Sequence, residues 1–400
     1  MSTPASYDVA RVRSMFPALG DGTAYFDGPG GSQVPARVAE AVAATLCSGI
    51  SNRGAVTASE RRADAVVHAA RSAIADLLGC ASGGVVVGRS MTQLTMDLAR
   101  ALARQWAPGD EVVVTRLDHD ADIRPWVIAA RAAGATVRWV DFDPETGELD
   151  PVADVLSDRT RLVAVTGASN LLGTRPDLPA AAAAIHDAGA LMFVDGVHLT
   201  PHAPVSLADL GADFYACSPY KFFGPHLGVL AADPALLAAV HPDKLLPSTD
   251  AVPERFELGT LPYELLAGVS ATVDVIADLL PGQGARRTRV LASMQEVETH
   301  EDRLFARLVD GLRDLRGVRT YGAPARRTPT VLFSVDGVES PRVHRLLAER
   351  GVNAPASSFY ALEASRRLGL GDAGAVRAGL APYTSEEDVD RLLDGLANIR

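Results

Sequence analysis

Short runs rich in β-branched residues, separated by longer stretches of Ala, Leu and Arg, constrain this chain more than any other feature. Val85-Val-Val, Glu111–Thr115, Thr136–Val140, Arg161–Thr166 and Leu191–Val194 have the length and composition of strands buried on both faces. Between them, residues near 91–106, 124–134 and 178–188 carry helical patterns, and Ala180 to Ala184 is plain helix. A parallel pair of strands needs a long crossover, usually a helix, so this alternation predicts a mostly parallel, doubly wound α/β sheet. Ligands of such sheets lie at the carboxyl ends of the strands. Asn170, Asp195 and Lys221 stand at or just after such ends.

The pattern changes near Leu261, where two long helical stretches begin, near 262–280 and 284–316. Thr330–Val335 then reads as a strand, residues 340–350 as a helix, and Thr384-Ser-Glu-Glu-Asp as the cap of a closing helix with acids in its first turn. This is the pattern of a smaller α+β domain. A chain of 400 residues also exceeds what one core usually organises. The expected division is an N-terminal segment, 1–45, packing with the small domain; a large domain, 46–280; and a small C-terminal domain, 281–400.

A net charge of −11 argues against nucleic acid or an anionic membrane surface as a partner. No apolar run reaches the roughly 18–20 residues of a membrane span, and Met1-Ser-Thr-Pro-Ala-Ser-Tyr-Asp lacks a basic-then-apolar signal pattern. A cytoplasmic protein is expected. Cys47, Cys80 and Cys217 are widely spaced and odd in number, which fits a reducing compartment rather than a disulfide framework.

Lys221 follows Asp195, the end of an apolar run, by 26 positions, so that two neighbouring strand ends could bring an amine and an acid to one pocket. Pyridoxal phosphate (PLP) needs that pair: a lysine for the Schiff base, and an aspartate to keep the pyridine nitrogen protonated so that the ring can accept electrons. Ser90-Met91-Thr92 lies between a strand and a helix, where free N–H groups and hydroxyls can hold a phosphate; an ordinary N-cap is the plainer reading. His198 and His202 make an i, i+4 pair, but two histidines without an evident third ligand fall short of a zinc site.

Several motifs occur in order along nearly the whole chain. They include Tyr25-Phe-Asp-Gly-Pro-Gly-Gly-Ser-Gln33, Arg89-Ser-Met-Thr-Gln93, Asp118-His-Asp-Ala-Asp122 with Pro125-Trp126, and Ser169-Asn-Leu-Leu-Gly-Thr174. Asp195-Gly-Val-His198, Ser218-Pro-Tyr-Lys221, Phe256-Glu-Leu-Gly-Thr260 and Val376-Arg377 follow. Together they resemble the class V aminotransferase group of fold-type-I PLP enzymes, in its cysteine desulfurase-like branch. The resemblance implies a large seven-stranded-type, mostly parallel sheet domain with a smaller domain, and PLP held by Lys221. It also implies a phosphate cradle at Ser90, Met91 and Thr92 with Ser218 and Tyr220, and a ring-nitrogen contact at Asp195. Asn170 and His198 would meet the phenolic oxygen, and His119 would stack on the ring and move protons. Gly259 and Thr260 would reach a partner's phosphate in a homodimer with a shared active site. Arg377 would bind the carboxylate of a small-molecule amino acid substrate, or serve only in a structural ion pair. Arg53 falls where relatives place another site-facing residue, and is otherwise a surface arginine.

Three positions depart from the family pattern. His198 stands where the related desulfurases usually have Gln, and Tyr220 where they have His. The third departure bears on the reaction. Desulfurases carry a nucleophilic cysteine between the strand after Arg350-Gly351 and the Arg377 motif, and here Gly351-Val-Asn-Ala-Pro-Ala-Ser-Ser-Phe-Tyr360-Ala-Leu-Glu has none. The alternation Phe214, Ala216, Ser218 turns Cys217 to the other side of its strand. The expected activity is therefore C–S cleavage by β-elimination from an amino acid or cysteine conjugate, with Lys221 and His119 as acid–base groups and no persulfide cysteine. The alternatives are an aminotransferase, epimerase or decarboxylating enzyme, or a non-catalytic paralogue acting as a scaffold. Substrate specificity is expected in the 353–365 loop and around Arg124 and Trp126.

Overall fold

The structure, a computed structural model, describes residues 7–399. The first six residues of the expected N-terminal segment lie outside the described residues. A seven-stranded sheet runs in the order 85–88, 228–232, 214–217, 191–195, 160–166, 111–115, 136–140. All neighbours are parallel except Gly228–Ala232, which is antiparallel to both of its neighbours. Thr166 pairs with Asp195, and Asp195 with Ala216, so adjacent strand ends finish level at one edge of the sheet.

Side chains alternate across the sheet with the two-residue period of a strand. Phe193, Phe214 and Ala216 enter one buried cluster, while Val194, Tyr215 and Cys217 enter the other, on the opposite face. Thr136–Val140 does not fit the expectation of a strand buried on both faces. It is one of the two edge strands and is exposed at Thr136 and Arg138, whereas the other edge strand, Val85–Gly88, is buried at its first three positions. The antiparallel Gly228–Ala232 run was not identified in the sequence. Its glycine is required, since a Cβ at Gly228 would sit 2.1 Å from the Ser90 carbonyl carbon.

A smaller antiparallel sheet, in the order 356–357, 375–379, 330–335, 318–321, carries its own core around Phe333, Val376, Leu304 and Leu392. The helix Arg286–Asp314 packs on Tyr263–Ala277 at the large sheet and on Glu386–Ala397 at the small one. Glu386–Ala397 starts with a capping box of Ser385 and Asp388, beside the expected Thr384-Ser-Glu-Glu-Asp signal. The N-terminal stretch touches both parts. Ala24–Tyr25 pairs with Val352–Asn353, Tyr7 donates to the Pro382 carbonyl at 2.6 Å, and Ala36–Leu46 packs on Tyr263–Ala277. No described helix is long and apolar enough to cross a membrane.

Candidate active site

A cavity of about 610 Å³ opens where the carboxyl ends of the large sheet face the small sheet. Each strand delivers its side chain by the turn that ends it. Leu191–Asp195 places Asp195 at its last position, and Phe214–Cys217 runs into the tight turn Pro219–Lys221, which presents Ser218 and Lys221. The turn is clamped by the Gly-Pro-Gly-Gly-Ser motif. Ser32 N–H donates to the Tyr220 carbonyl at 3.1 Å, and Ser32 Oγ accepts from Phe223 N–H at 2.7 Å. Phe223 has φ 75°, a left-handed conformation that these bonds hold in place.

Lys221 Nζ donates to the Pro29 carbonyl at 2.6 Å and lies 4.9 Å from the Tyr220 ring centre. Burial and then the Arg377 charge pull the amine down to about 7, with Asp195 opposing. Asp195 is buried, and burial lifts its carboxyl to about 6 although Val197 N–H donates to it at 2.9 Å. Behind it lie Asp118 and Asp122, both inaccessible to solvent. Trp126 Nε1 donates to Asp122 at 3.0 Å and the Thr115 hydroxyl donates to Asp118. Burial pushes both carboxyls up, the Asp118 charge adds to the rise at Asp122, and one oxygen of each is buried without a partner. This acidic pair was not singled out in the sequence as a unit.

Ser90 caps the helix Met91–Ala103, its hydroxyl accepting from Gln93 N–H at 3.1 Å, and Ser90, Met91 and Thr92 all line the cavity. The first turn of that helix thus offers free N–H groups to an anion. His119 also lines the cavity. Its Nδ1 accepts from Ala121 N–H at 3.0 Å, which leaves Nε2 to carry the proton of the neutral ring. Burial, then Lys221 and Arg377, depress its pKa to about 4.

Arg377 is 1% exposed and forms no ion pair with any described carboxylate. Its Nη1 donates to the Asn170 carbonyl at 2.8 Å, its Nε has no partner, and the Phe359 ring covers the guanidinium at 3.8 Å. Arg377 is thus a buried cation facing a cavity with no carboxylate in direct contact, Asp27 acting on it only through charge, and such a cation can receive an anion. Asn170 Nδ2 donates to the Phe359 carbonyl at 3.0 Å, and its Oδ1 is buried without a partner.

Other expected residues lie differently. His198 lines the cavity, but its Nε2 faces Thr330 Oγ1 at 3.0 Å, so at most Nδ1 is free for a ligand. His202 pairs with Glu301 at 2.9 Å, and no group of three metal-ligating residues occurs among the described residues. Tyr220 lines the cavity with its ring stacked on His226 at 4.8 Å. Arg53 is not brought to the cavity. Asp64 and Glu254 hold its guanidinium at 2.8 and 3.0 Å, because the helix Ala58–Leu78 and the Glu254–Phe256 turn supply both acids. Gly259 and Thr260 are exposed and do not line this chain's cavity.

The sequence reading missed the Phe359-Tyr360 pair as individual residues. Both line the cavity and both have positive φ, 53° and 58°, a conformation that costs non-glycine residues ~1–3 kcal/mol each. No residue type at these positions signals left-handed backbone. None of the three cysteines lines the cavity, and burial pushes Cys217 far above the usual thiol range.

The family described as aminotransferase class-V matches residues 24–392. The chain is 38% identical over 404 residues to an uncharacterized protein of Mycobacterium tuberculosis, covering 98% of this chain and 100% of that one. An aminotransferase-like protein of Gibberella zeae is 33% identical over 413 residues, covering 98% of each. The crystal structure of the cysteine desulfurase CsdA of Escherichia coli superposes with a TM-score of 0.85 at 28% identity, covering 97% of each chain.

Proposed function

The chain belongs to the class-V aminotransferase family and has the fold-type-I architecture, and from that premise we propose that it is a PLP-dependent lyase. Its substrate in this reading is an α-amino acid of the cysteine-conjugate type, cleaved at the C–S bond by β-elimination. The observation that carries the reading is Arg377, a buried guanidinium with no carboxylate in salt-bridge contact, facing the same cavity as the Lys221 amine and the Asp195 carboxylate.

The residues fit the cofactor. The Ser90 helix start with Ser218 would take the phosphate, Asp195 the ring nitrogen, and Lys221 the aldehyde carbon. The unpartnered Asn170 amide oxygen shows that its side chain has unused hydrogen-bonding capacity in the cavity. PLP, when bound, acts as an electron sink that acidifies the Cα–H of an attached amino acid.

The chain's own groups account for the rest. Arg377 holds the substrate carboxylate with a planar fork of donors and so fixes which Cα bond is presented. Lys221, released when the substrate amine takes its place, has an amine lowered enough to accept the Cα proton near neutral pH. Loss of the β-substituent as a thiolate is then assisted by a proton from Lys221, with neutral His119 alongside. Water completes the balance: R–S–CH2–CH(NH3+)–COO− and H2O give RSH, pyruvate and ammonium. Relatives named as cysteine desulfurases support sulfur chemistry, whereas no cysteine of this chain lines the cavity to accept sulfur.

A homodimer belongs to the same proposal. Leu245, Leu246 and Leu258 are exposed, and Leu258 directly precedes the exposed Gly259 and Thr260; large apolar side chains left open in this way suit contact with a second copy. The cofactor claim is tested by visible absorbance of the purified protein with PLP, followed by borohydride reduction and peptide mass mapping. The label is expected on Lys221 and absent in Lys221→Ala; a label elsewhere, or none, rejects the reading.

A further inference from the structure

Phe359 and Tyr360 are consecutive, bulky and left-handed, and four contacts tie them to the cavity. The Phe359 ring lies on the Arg377 guanidinium at 3.8 Å, and its carbonyl accepts from Asn170 Nδ2 at 3.0 Å. The Tyr360 ring stacks on His119 at 5.6 Å with 30° between planes, and its carbonyl accepts from Asp120 N–H at 2.7 Å. Arg377 closes the first arrangement by donating to the Asn170 carbonyl. One backbone distortion therefore sets both rings at once.

The two rings have different surroundings. Phe359 is part of the wall behind Arg377. Tyr360 is 76% exposed yet lines the cavity, so its outer face is available to whatever enters. Among the other lining residues, Met96, Ala121 and Pro125 are apolar. The charges at this end are already matched: Arg124 pairs with Asp120 and with Glu363. A charged substrate side chain would have to break one of these pairs, whereas an apolar one needs only Tyr360 and the apolar wall.

We propose that the Phe359-Tyr360 pair is a substrate-selecting clamp: Phe359 holds Arg377 in its carboxylate-binding pose, and Tyr360 receives an uncharged, apolar or thioether side chain. The inference rests on the amino acid reading of the cavity and specifies its substrate class. Phe359 is a positioning residue, since it acts through Arg377. Tyr360 is a specificity residue that touches the substrate.

The test is calorimetric binding of norleucine, aspartate, lysine and n-pentylamine to the PLP-loaded protein, none of which carries a β leaving group. Norleucine is expected to bind at least tenfold more tightly than aspartate or lysine. Phe359→Asn keeps a residue that tolerates positive φ but removes the ring. It is expected to weaken all three amino acids about tenfold and leave pentylamine, which has no carboxylate, unchanged; Phe359→Tyr should restore the affinity. Tyr360→Asn is expected to reduce the preference for norleucine to under threefold. Equal binding of charged and apolar amino acids overturns the selectivity. Unchanged affinities in Phe359→Asn, or equal losses for pentylamine, overturn the role of Phe359. A PLP-loaded protein that binds none of the three amino acids rejects the amino acid reading itself, and with it the clamp.

Discussion

Arg377 carries a charge into a site where burial alone pulls its pKa down to about 9, with only the more distant Asp27 opposing. Breaking a buried ion pair costs several kcal/mol, and a buried cation without one is held at similar expense. Arg377→Met should therefore leave the cofactor-free protein as stable as the parent or up to ~2 kcal/mol more stable. The same change should abolish detectable amino acid binding. Denaturant melts beside calorimetry measure both, and a large loss of stability would mean that the guanidinium serves the fold. The buried acids make a second case. Folding raises the pKa of Asp118 and Asp122, so their favourable contribution is complete in acid and fades as pH rises through the raised values. Asp122→Asn keeps an acceptor for Trp126 and leaves one titrating group. The decline in cofactor-free stability from about pH 5 to 8 should be shallower than in the parent, and superimposable curves would contradict a raised pKa at Asp122.

At the scale of elements, the Met91–Ala103 helix joins a fold device to a binding device. Ser90→Ala removes the cap at ~1 kcal/mol of stability and one hydroxyl from the phosphate cradle. A several-fold loss of PLP affinity in a fluorescence titration is expected, and unchanged affinity would move the cradle elsewhere. Much of this scale is legible in the sequence. The strand Leu191–Asp195 and the helix Arg124–Ala133 follow the periodicity nearly to the residue, since their patterns reflect burial that the sequence itself encodes. Thr136–Val140 was misjudged because β-branched composition reports strand and not position in the sheet. Arg53 failed for another reason: an arginine's partners, here Asp64 and Glu254, are distant in sequence and only the fold selects them. Phe359 and Tyr360 were invisible individually because left-handed backbone has no signature in aromatic residues.

For the whole molecule, the two sheets and the Arg286–Asp314 helix between them place the Lys221 cavity at their junction, and the exposed Leu245, Leu246 and Leu258 remain for a second copy. Sedimentation equilibrium should give about twice the 42.0 kDa chain mass, and Leu246→Glu should shift the protein toward monomer. A monomeric parent that retains PLP would contradict the shared site. The central claim, elimination at a C–S bond by Lys221 without a sulfur-accepting cysteine, is tested most directly by product stoichiometry. The PLP-loaded protein is incubated with an S-alkyl cysteine and no keto acid, and thiol and pyruvate are measured together. Equal amounts of both, absent in Lys221→Ala, are predicted; product formation only when a keto acid acceptor is added, or none with any cysteine conjugate, would contradict it.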